Sequence, residues 1–346
     1  MRLLYRVGLK VRRLIADVEY MNASCFAASV IVAIVSVIAS VQPCFAWSEG
    51  GHHLIAVMAF EVLTPDQQRE YLTILKSHPR FTDDFKPPEK ITDPDEIESW
   101  QIGRAGYWPD VARSQPAFNR PQWHYQLGAT LTVGELQSVP SRPGPLPDSA
   151  TMDTLELYIG QAIPLCRGVL RDQARPSGER ALAICWLAHL VGDAHQPCHS
   201  GSLYYARVFP EGDRGANSIP AIQANNLHAL WDGLLGPAFD GGDVERRRRT
   251  IVADQTIWSA AQLSARDQAG LDPVVWLSES EEFGRSHVYT AEVMNPIEEV
   301  AQGETSKLEP VNLSESYLKS AGDVARRRAA FAACRLAAIL AEDLSR

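Results

Sequence analysis

Residues 181–199 read Ala-Leu-Ala-Ile-Cys-Trp-Leu-Ala-His-Leu-Val-Gly-Asp-Ala-His-Gln-Pro-Cys-His. Ala181 to Val191 is apolar nearly all round, and Ser177 stands ahead of it as an N-cap. A helix without a polar face belongs at the centre of its domain. This one nevertheless carries His189 and Asp193, four residues apart and therefore on one face, with Cβ atoms about 5–6 Å apart. Pro197 ends the helix, and a turn there can bring His199 back over that face. The same spacing recurs at His228 and Asp232.

Outward from this segment the chain reads as mainly helical, an all-α single domain. Gly51 to Leu63 has a helical apolar pattern. Thr64-Pro65-Asp66-Gln67 supplies an N-cap, a proline at the first helical position and a capping-box partner. Asp95 to Gly103 reads as a short helix, and Met152 to Val169 as an amphipathic one kinked at Pro164. Further helices are expected over Asn226–Leu235, Val244–Ser264, Pro273–Glu282 and Ser314–Leu344. Leu127 to Asp148, with four prolines, reads as an irregular excursion or hairpin, and Tyr204 to Ser218 as a loop. No strand ladder, internal repeat or low-complexity tail is legible.

The first 46 residues read as a secretory leader. Arg2, Arg6, Lys10, Arg12 and Arg13 form a basic start, Cys25 to Val41 is apolar apart from three serines, and Cys44-Phe45-Ala46 fits a cleavage site. Met21 offers a second start, and an uncleaved membrane anchor is the alternative. Cleavage defines two parts, residues 1–46 and residues 47–346, and puts the mature protein outside the cell or in the periplasm, with no membrane attachment. It removes five basic and two acidic side chains, leaving 28 Lys and Arg against 40 Asp and Glu, a formal charge of −12. That argues against a broad basic surface for nucleic acid, though bound divalent metals would add local positive charge. Cys166, Cys185, Cys198 and Cys334 remain, an even number that allows disulfide bonds in three connectivities; buried free thiols are the alternative. Arg246-Arg247-Arg248-Arg249, with Asp243 and Glu245 ahead of it, reads as a solvated helix face, and Asn312-Leu313-Ser314 fits a glycosylation sequon.

His189 with Asp193 alone would be an ordinary helix pair. With His199, His228, Asp232, His124 (in Trp123-His124-Tyr125) and Asp110 (in Trp108-Pro109-Asp110) it becomes a constellation in largely apolar surroundings. Buried carboxylates there need compensating charge, and a metal cluster supplies it. Imidazole with carboxylate suits zinc. Cleavage after Ala46 would leave Trp47 as the amino terminus, whose amine and carbonyl can chelate a metal.

The chain resembles the secreted trizinc single-strand-specific nuclease family, typified by nucleases S-one and P-one. The resemblance rests on Trp47-Ser-Glu-Gly-Gly-His52, Trp108-Pro-Asp110, Trp123-His124-Tyr125, the segment from His189 to His199, and His228-Ala-Leu-Trp-Asp232. It implies the helical fold shared with zinc phospholipase C, with irregular loops around a trinuclear metal cleft. It implies three zincs: one held by Asp110, His124, His189 and Asp193; a second by Trp47, His52 and the bridging Asp193; a third by His199, His228 and Asp232. The implied enzyme is a zinc-dependent endonuclease and 3′-nucleotidase. It would cleave single-stranded DNA and RNA to 5′-phosphate products, using a water whose pKa two close metals lower.

On the same resemblance Arg113 faces the phosphate and Tyr125 stacks on a base, a sequence-tolerant contact; an exposed arginine and a packing tyrosine are the plain readings. The family's acid or amide three residues after its Trp-His-Tyr histidine is replaced by Leu127, which implies altered base recognition. His195 is expected to orient a ligand and His53 to lie on the helix surface. Single-stranded nucleic acid and 3′-nucleotides are the expected partners, with no stable protein partner and a monomeric chain. A zinc phospholipase C differs in placing its first histidine further from the tryptophan and in ending its last helical pair with Glu. A non-catalytic secreted metal-binding protein is the other alternative, but structural zinc sites are closed and usually rich in cysteine.

Overall fold

Helix α1 spans Glu49–Val62 and α2 spans Pro65–Leu75 in the computed structural model, which describes residues 47–345. The expected capping box forms at α2: Thr64 Oγ1 accepts from the Gln67 backbone N–H, and Gln67 returns the bond to the Thr64 N–H. Next come α3 (Pro94–Val111), strand β1 (Ala129–Val133), α4 (Ile159–Arg171) and α5 (Ser177–Ala194). Strand β2 (Ser202–Tyr205) follows, then α6 (Leu227–Gly233), α7 (Gly241–Ala253), α8 (Gln255–Ser264) and α9 (Pro273–Phe283). Helices α10 (Ala291–Gln302) and α11 (Glu315–Leu344) complete the chain. The leader assigned to residues 1–46 lies outside the described residues. No helix among the described residues is long and apolar enough to cross a membrane.

Helix α5 is central, as its composition requires. Its length from Ala183 to Ala194 is buried, and α3, α4, α1 and α11 all pack against it. Its N-cap position is Pro176 rather than Ser177, with no side-chain capping bond. A main core forms around α1, α3, α4, α5 and α11. A second cluster gathers Leu203, Trp231, Val293 and Tyr317 beneath β2, α6 and α10.

Helix α3 is twice the expected length. Gly106 and Pro109, past the expected end at Gly103, have low helix propensity, but Gly103 and Gly106 mark a close helix crossing. A Cβ at Gly103 would meet His53 Nδ1 at 2.2 Å, and one at Gly106 would meet the His52 carbonyl oxygen at 2.9 Å. Tertiary contact outweighs the propensity cost of about 1 kcal/mol per glycine, and Pro109 falls in the last turn. The consequence is functional, since Asp110 rides on a rigid helix.

Other departures are smaller. The excursion after Leu127 is no hairpin: β1 pairs in parallel with distant β2, with a register shift between Ala129 and Leu131. A parallel partner this remote leaves no local sequence signal. The span Val244–Ser264 is two helices, because Asp254 turns the chain and caps α8 through Thr256 and Ile257. Helix α10, with Pro296 inside it, was not foreseen. The four cysteines are buried free thiols, not disulfides. Cys166, Cys185 and Cys334 pack in the main core and Cys198 in the second cluster, and burial pushes the Cys166 and Cys185 thiols up. Arg246 and Arg249 are exposed and pair with Asp243 and Glu245, as a solvated face should.

Candidate metal centre

Three groups of ligand-type side chains converge between α1, α3, α5 and α6. They are His52, His189 and Asp193; Asp110, His124 and His189; and His199, His228 and Asp232. Within each group the potential ligand atoms lie within 4.8 Å of one another, and every member is buried. Five segments deliver them: α1, the end of α3, the turn Pro121–His124, α5 with the turn Pro197–His199 that follows it, and α6.

Asp193 sits between the first two groups. Its Oδ1 lies 3.4 Å from His52 Nε2, and its Oδ2 lies 3.3 Å from His124 Nδ1 and 3.2 Å from His189 Nε2. His189 Nε2 is also 2.8 Å from His124 Nδ1 and 4.0 Å from Asp110 Oδ1. The third group has its own geometry: His199 Nε2 and His228 Nε2 are 3.0 Å apart, with Asp232 Oδ2 3.4 Å from His228.

Backbone carbonyls fix the tautomers. His189 Nδ1 donates to Gly106 O at 2.8 Å, His228 Nδ1 to Gly215 O at 2.5 Å, and His199 Nδ1 to His124 O. A carbonyl only accepts, so in each ring the proton is on Nδ1 and the Nε2 lone pair turns inward. At His199 and His228 two such lone pairs face each other, an arrangement that needs a cation. Burial, reinforced by neighbouring histidines, holds His52 and His124 well below the ordinary histidine range. Burial also opposes charge on His189, but Asp193 and Asp110 outweigh it and move its pKa up. Asp193 is pushed up to about 6 by burial, with His189 pulling the other way.

The donor set fits metal on its own terms. Both oxygens of Asp193, Asp110 Oδ2, both ring nitrogens of His52 and His124 Nε2 are buried without a hydrogen-bond partner. Native interiors rarely tolerate so many orphaned polar atoms in one place. Neutral imidazoles and carboxylates, with no cysteine among them, match zinc.

The chain's first described residues lie across this centre. Trp47 is fully buried; its indole N–H donates to Gly192 O at 3.0 Å, and the Ser48 N–H donates to Asp232 O at 3.0 Å. Residues 47 and 48 therefore tie α5 to α6 beside Asp193 and Asp232. Arg113 lies in the short turn after α3, its side chain 17% exposed, with Nε 2.6 Å from Asp110 Oδ1. Tyr125 is half-buried, its ring 6.3 Å from that of His199. Leu127 is half-buried just ahead of β1.

Two histidines are not where the sequence suggests. His53 is fully buried against Phe239 and Gly103, not on the helix surface, because α3 and the segment before α7 cover that side of α1. The His195 ring does not touch the ligand side chains. Its Nδ1 bonds Val191 O at 2.7 Å, and its Nε2 accepts from Arg335 at 2.9 Å.

His195 instead joins a buried support that sequence reading missed. Arg328 and Arg335, both 1% exposed and seven residues apart on α11, share Glu279. Arg328 also donates to the His195 carbonyl, and Ser280 Oγ to the Ala194 carbonyl. Together they lock the turn that aims His199. Gln196 was likewise overlooked, although it stands inside the motif segment; its Nε2 donates to Asp232 Oδ1 at 2.7 Å.

Comparison with known proteins agrees with this arrangement. A 56-residue stretch is 38% identical to Endonuclease 4 of Arabidopsis thaliana, covering 15% of this chain and only 16% of that protein's length. The family described as S1/P1 Nuclease, whose members are zinc-dependent, matches residues 47–345. The whole described chain thus carries the family pattern, with three ligand clusters in its core, and the protein belongs to the S1/P1 nuclease family.

Proposed function

We propose that the mature protein is a secreted or periplasmic, monomeric zinc nuclease that cleaves single-stranded DNA and RNA to 5′-phosphate products and also removes the phosphate of 3′-nucleotides. The observation that carries this reading is Asp193, a single buried carboxylate within 3.4 Å of histidines from two donor groups. In this reading Asp110, His124, His189 and Asp193 hold one zinc, and Trp47, His52 and Asp193 a second. His199, His228 and Asp232 hold the third. Removal of residues 1–46 would supply the Trp47 amine, so export would complete the second site. Zinc bound here supplies water activation and neutralises charge on the phosphate.

The chain's own residues contribute positioning and exclusion. Asp193 keeps the first two groups in register. The Gly106, Gly215 and His124 carbonyls keep imidazole lone pairs aimed inward. Arg113, steered by Asp110, presents a guanidinium where charge develops on a bound phosphate. Tyr125 offers a ring for base stacking, which favours a strand whose bases are unpaired.

The test is elemental analysis of the exported protein together with its cleavage products. About three zincs per chain, loss of activity in chelator, preference for single over double strands, and 5′-phosphate ends are expected. Active protein holding one tightly bound metal, or products with 3′-phosphate ends, would refute the assignment.

A further inference from the structure

His228 is aimed by a segment that holds no metal ligand. Its Nδ1 donates to the Gly215 carbonyl at 2.5 Å, and its backbone N–H to the Ala216 carbonyl at 3.4 Å. Both carbonyls belong to a left-handed turn, in which Arg214, Gly215 and Ala216 have φ of 61°, 62° and 69°. L side chains rarely adopt this region, and two of the three residues carry one. Strained backbone of this kind persists where its surroundings over-determine it.

The surroundings centre on Asp213. It is fully buried and makes no salt bridge among the described residues. Its Oδ1 accepts from the Leu203 N–H on β2 at 2.9 Å, and its Oδ2 from the Tyr289 hydroxyl at 2.8 Å. The carboxylate also accepts the Ala216 N–H from the far end of the turn. A buried carboxylate is costly unless such bonds compensate it, and here they clamp the turn to β2 and to Tyr289. Tyr289 is held in its own way. It follows a π-helical turn, Gly284–Val288, a rare element that recurs at functional sites. The Tyr317 hydroxyl donates to the Val288 carbonyl and accepts from the Trp231 indole N–H, and Trp231 stands on α6 between His228 and Asp232. The network thus closes on the helix that carries both ligands, although neither Asp213 nor Tyr289 belongs to a ligand group.

We propose that Asp213, oriented by Tyr289, is a positioning residue for the group His199, His228 and Asp232. It holds the left-handed turn, so that the Gly215 carbonyl keeps the His228 proton on Nδ1 and the Nε2 lone pair faces the metal. The inference rests on the reading of this group as a zinc site, but the place of the His228 proton is set in the metal-free chain as well.

Nitrogen NMR of protein labelled at its histidine rings tests it, in chelator, with the His228 signal identified by its loss in His228→Gln. Zinc analysis under graded chelator competition gives the affinity of each site. The parent should show His228 with its proton on Nδ1. Asp213→Asn removes an acceptor and Tyr289→Phe a donor at nearly constant size. Each should give His228 a mixture of tautomers and leave His199, whose Nδ1 bonds the His124 carbonyl, unchanged. Each should weaken one zinc about ten- to a hundredfold and leave the other two at parental affinity. Thermal unfolding confirms that the variants are folded. An unchanged His228 tautomer, or parental affinity for all three zincs, in both folded variants would overturn the proposal. Equal weakening of all three zincs would also overturn it, since that marks a general structural role. A parent holding only two zincs would instead defeat the zinc reading of this group, and the metal-free spectra alone would then decide whether Asp213 positions His228.

Discussion

Asp193→Asn should move activity and stability in opposite directions. In the folded chain without metal, burial lifts the Asp193 pKa from 3.8 to about 6. At about 1.4 kcal/mol per unit, ionising this carboxylate costs the fold about 3 kcal/mol. The folded protein holds that proton more tightly than the unfolded chain. Metal-free stability from this group is therefore fully present below about pH 4 and lost as pH rises through about 6. At about pH 7.5 the whole cost applies. An asparagine removes it, and its amide can donate to the nearby His52 Nε2, which lies 3.4 Å from the present Oδ1. In chelator the variant should melt about 5 °C or more above the parent, given about 2–4 °C per kcal/mol for a chain of this class. With zinc restored, the shared negative charge is missing from two sites at once. Cleavage of single-stranded DNA should fall by at least about a thousandfold, about 4 kcal/mol in barrier terms. Thermal unfolding in chelator, zinc analysis and a single-strand cleavage assay read all three quantities. A variant that melts below the parent in chelator, or one that keeps full zinc and near-normal cleavage, would refute the reasoning.

Arg113→Ala should leave zinc content unchanged and lower turnover by about ten- to a thousandfold; loss of zinc would reduce Arg113 to a brace for Asp110. Mass spectrometry of exported protein should find Trp47 as the first residue, and a different start would take the amine out of the ligand set. Gly215→Ala should loosen the third site first: Gly215 has φ +62°, a Cβ there would meet Cys198 O at 2.3 Å, and its carbonyl orients His228. A loss of about one zinc with the other two retained is the expected analysis, and full zinc content would contradict it. Burial lowers the His78 pKa to about 4, so this ring is uncharged in the fold while the unfolded chain takes up a proton below about pH 6.5. Stability should decline as pH falls from about 6.5 to about 4, and His78→Asn should flatten that decline in denaturant titrations at saturating zinc. An unchanged acid slope would show that His78 is not responsible.

The sequence by itself determined the elements whose signals are local. The apolar run to Val191 required a central helix, Thr64 to Gln67 wrote out a capping box, and the four-residue spacing of His189 with Asp193 put both on one face. The order of the ligand segments determined the family as well, because each segment keeps its residues together along the chain. What only the tertiary structure decided involves partners distant in sequence. The helix expected to end at Gly103 runs on to Asp110 because α1 packs closely across Gly103 and Gly106. His53 looks like surface until α3 and Phe239 cover it. The carbonyls of Gly106, Gly215 and His124 set the imidazole tautomers, yet a backbone oxygen leaves no mark on sequence, since any residue supplies one. The Arg328 and Arg335 support depends on α11 lying against α5 and α9, a packing no local pattern encodes. Ligand identity is a property of side chains and is written in the sequence; ligand aim is a property of what surrounds them, and exists only once the chain is folded.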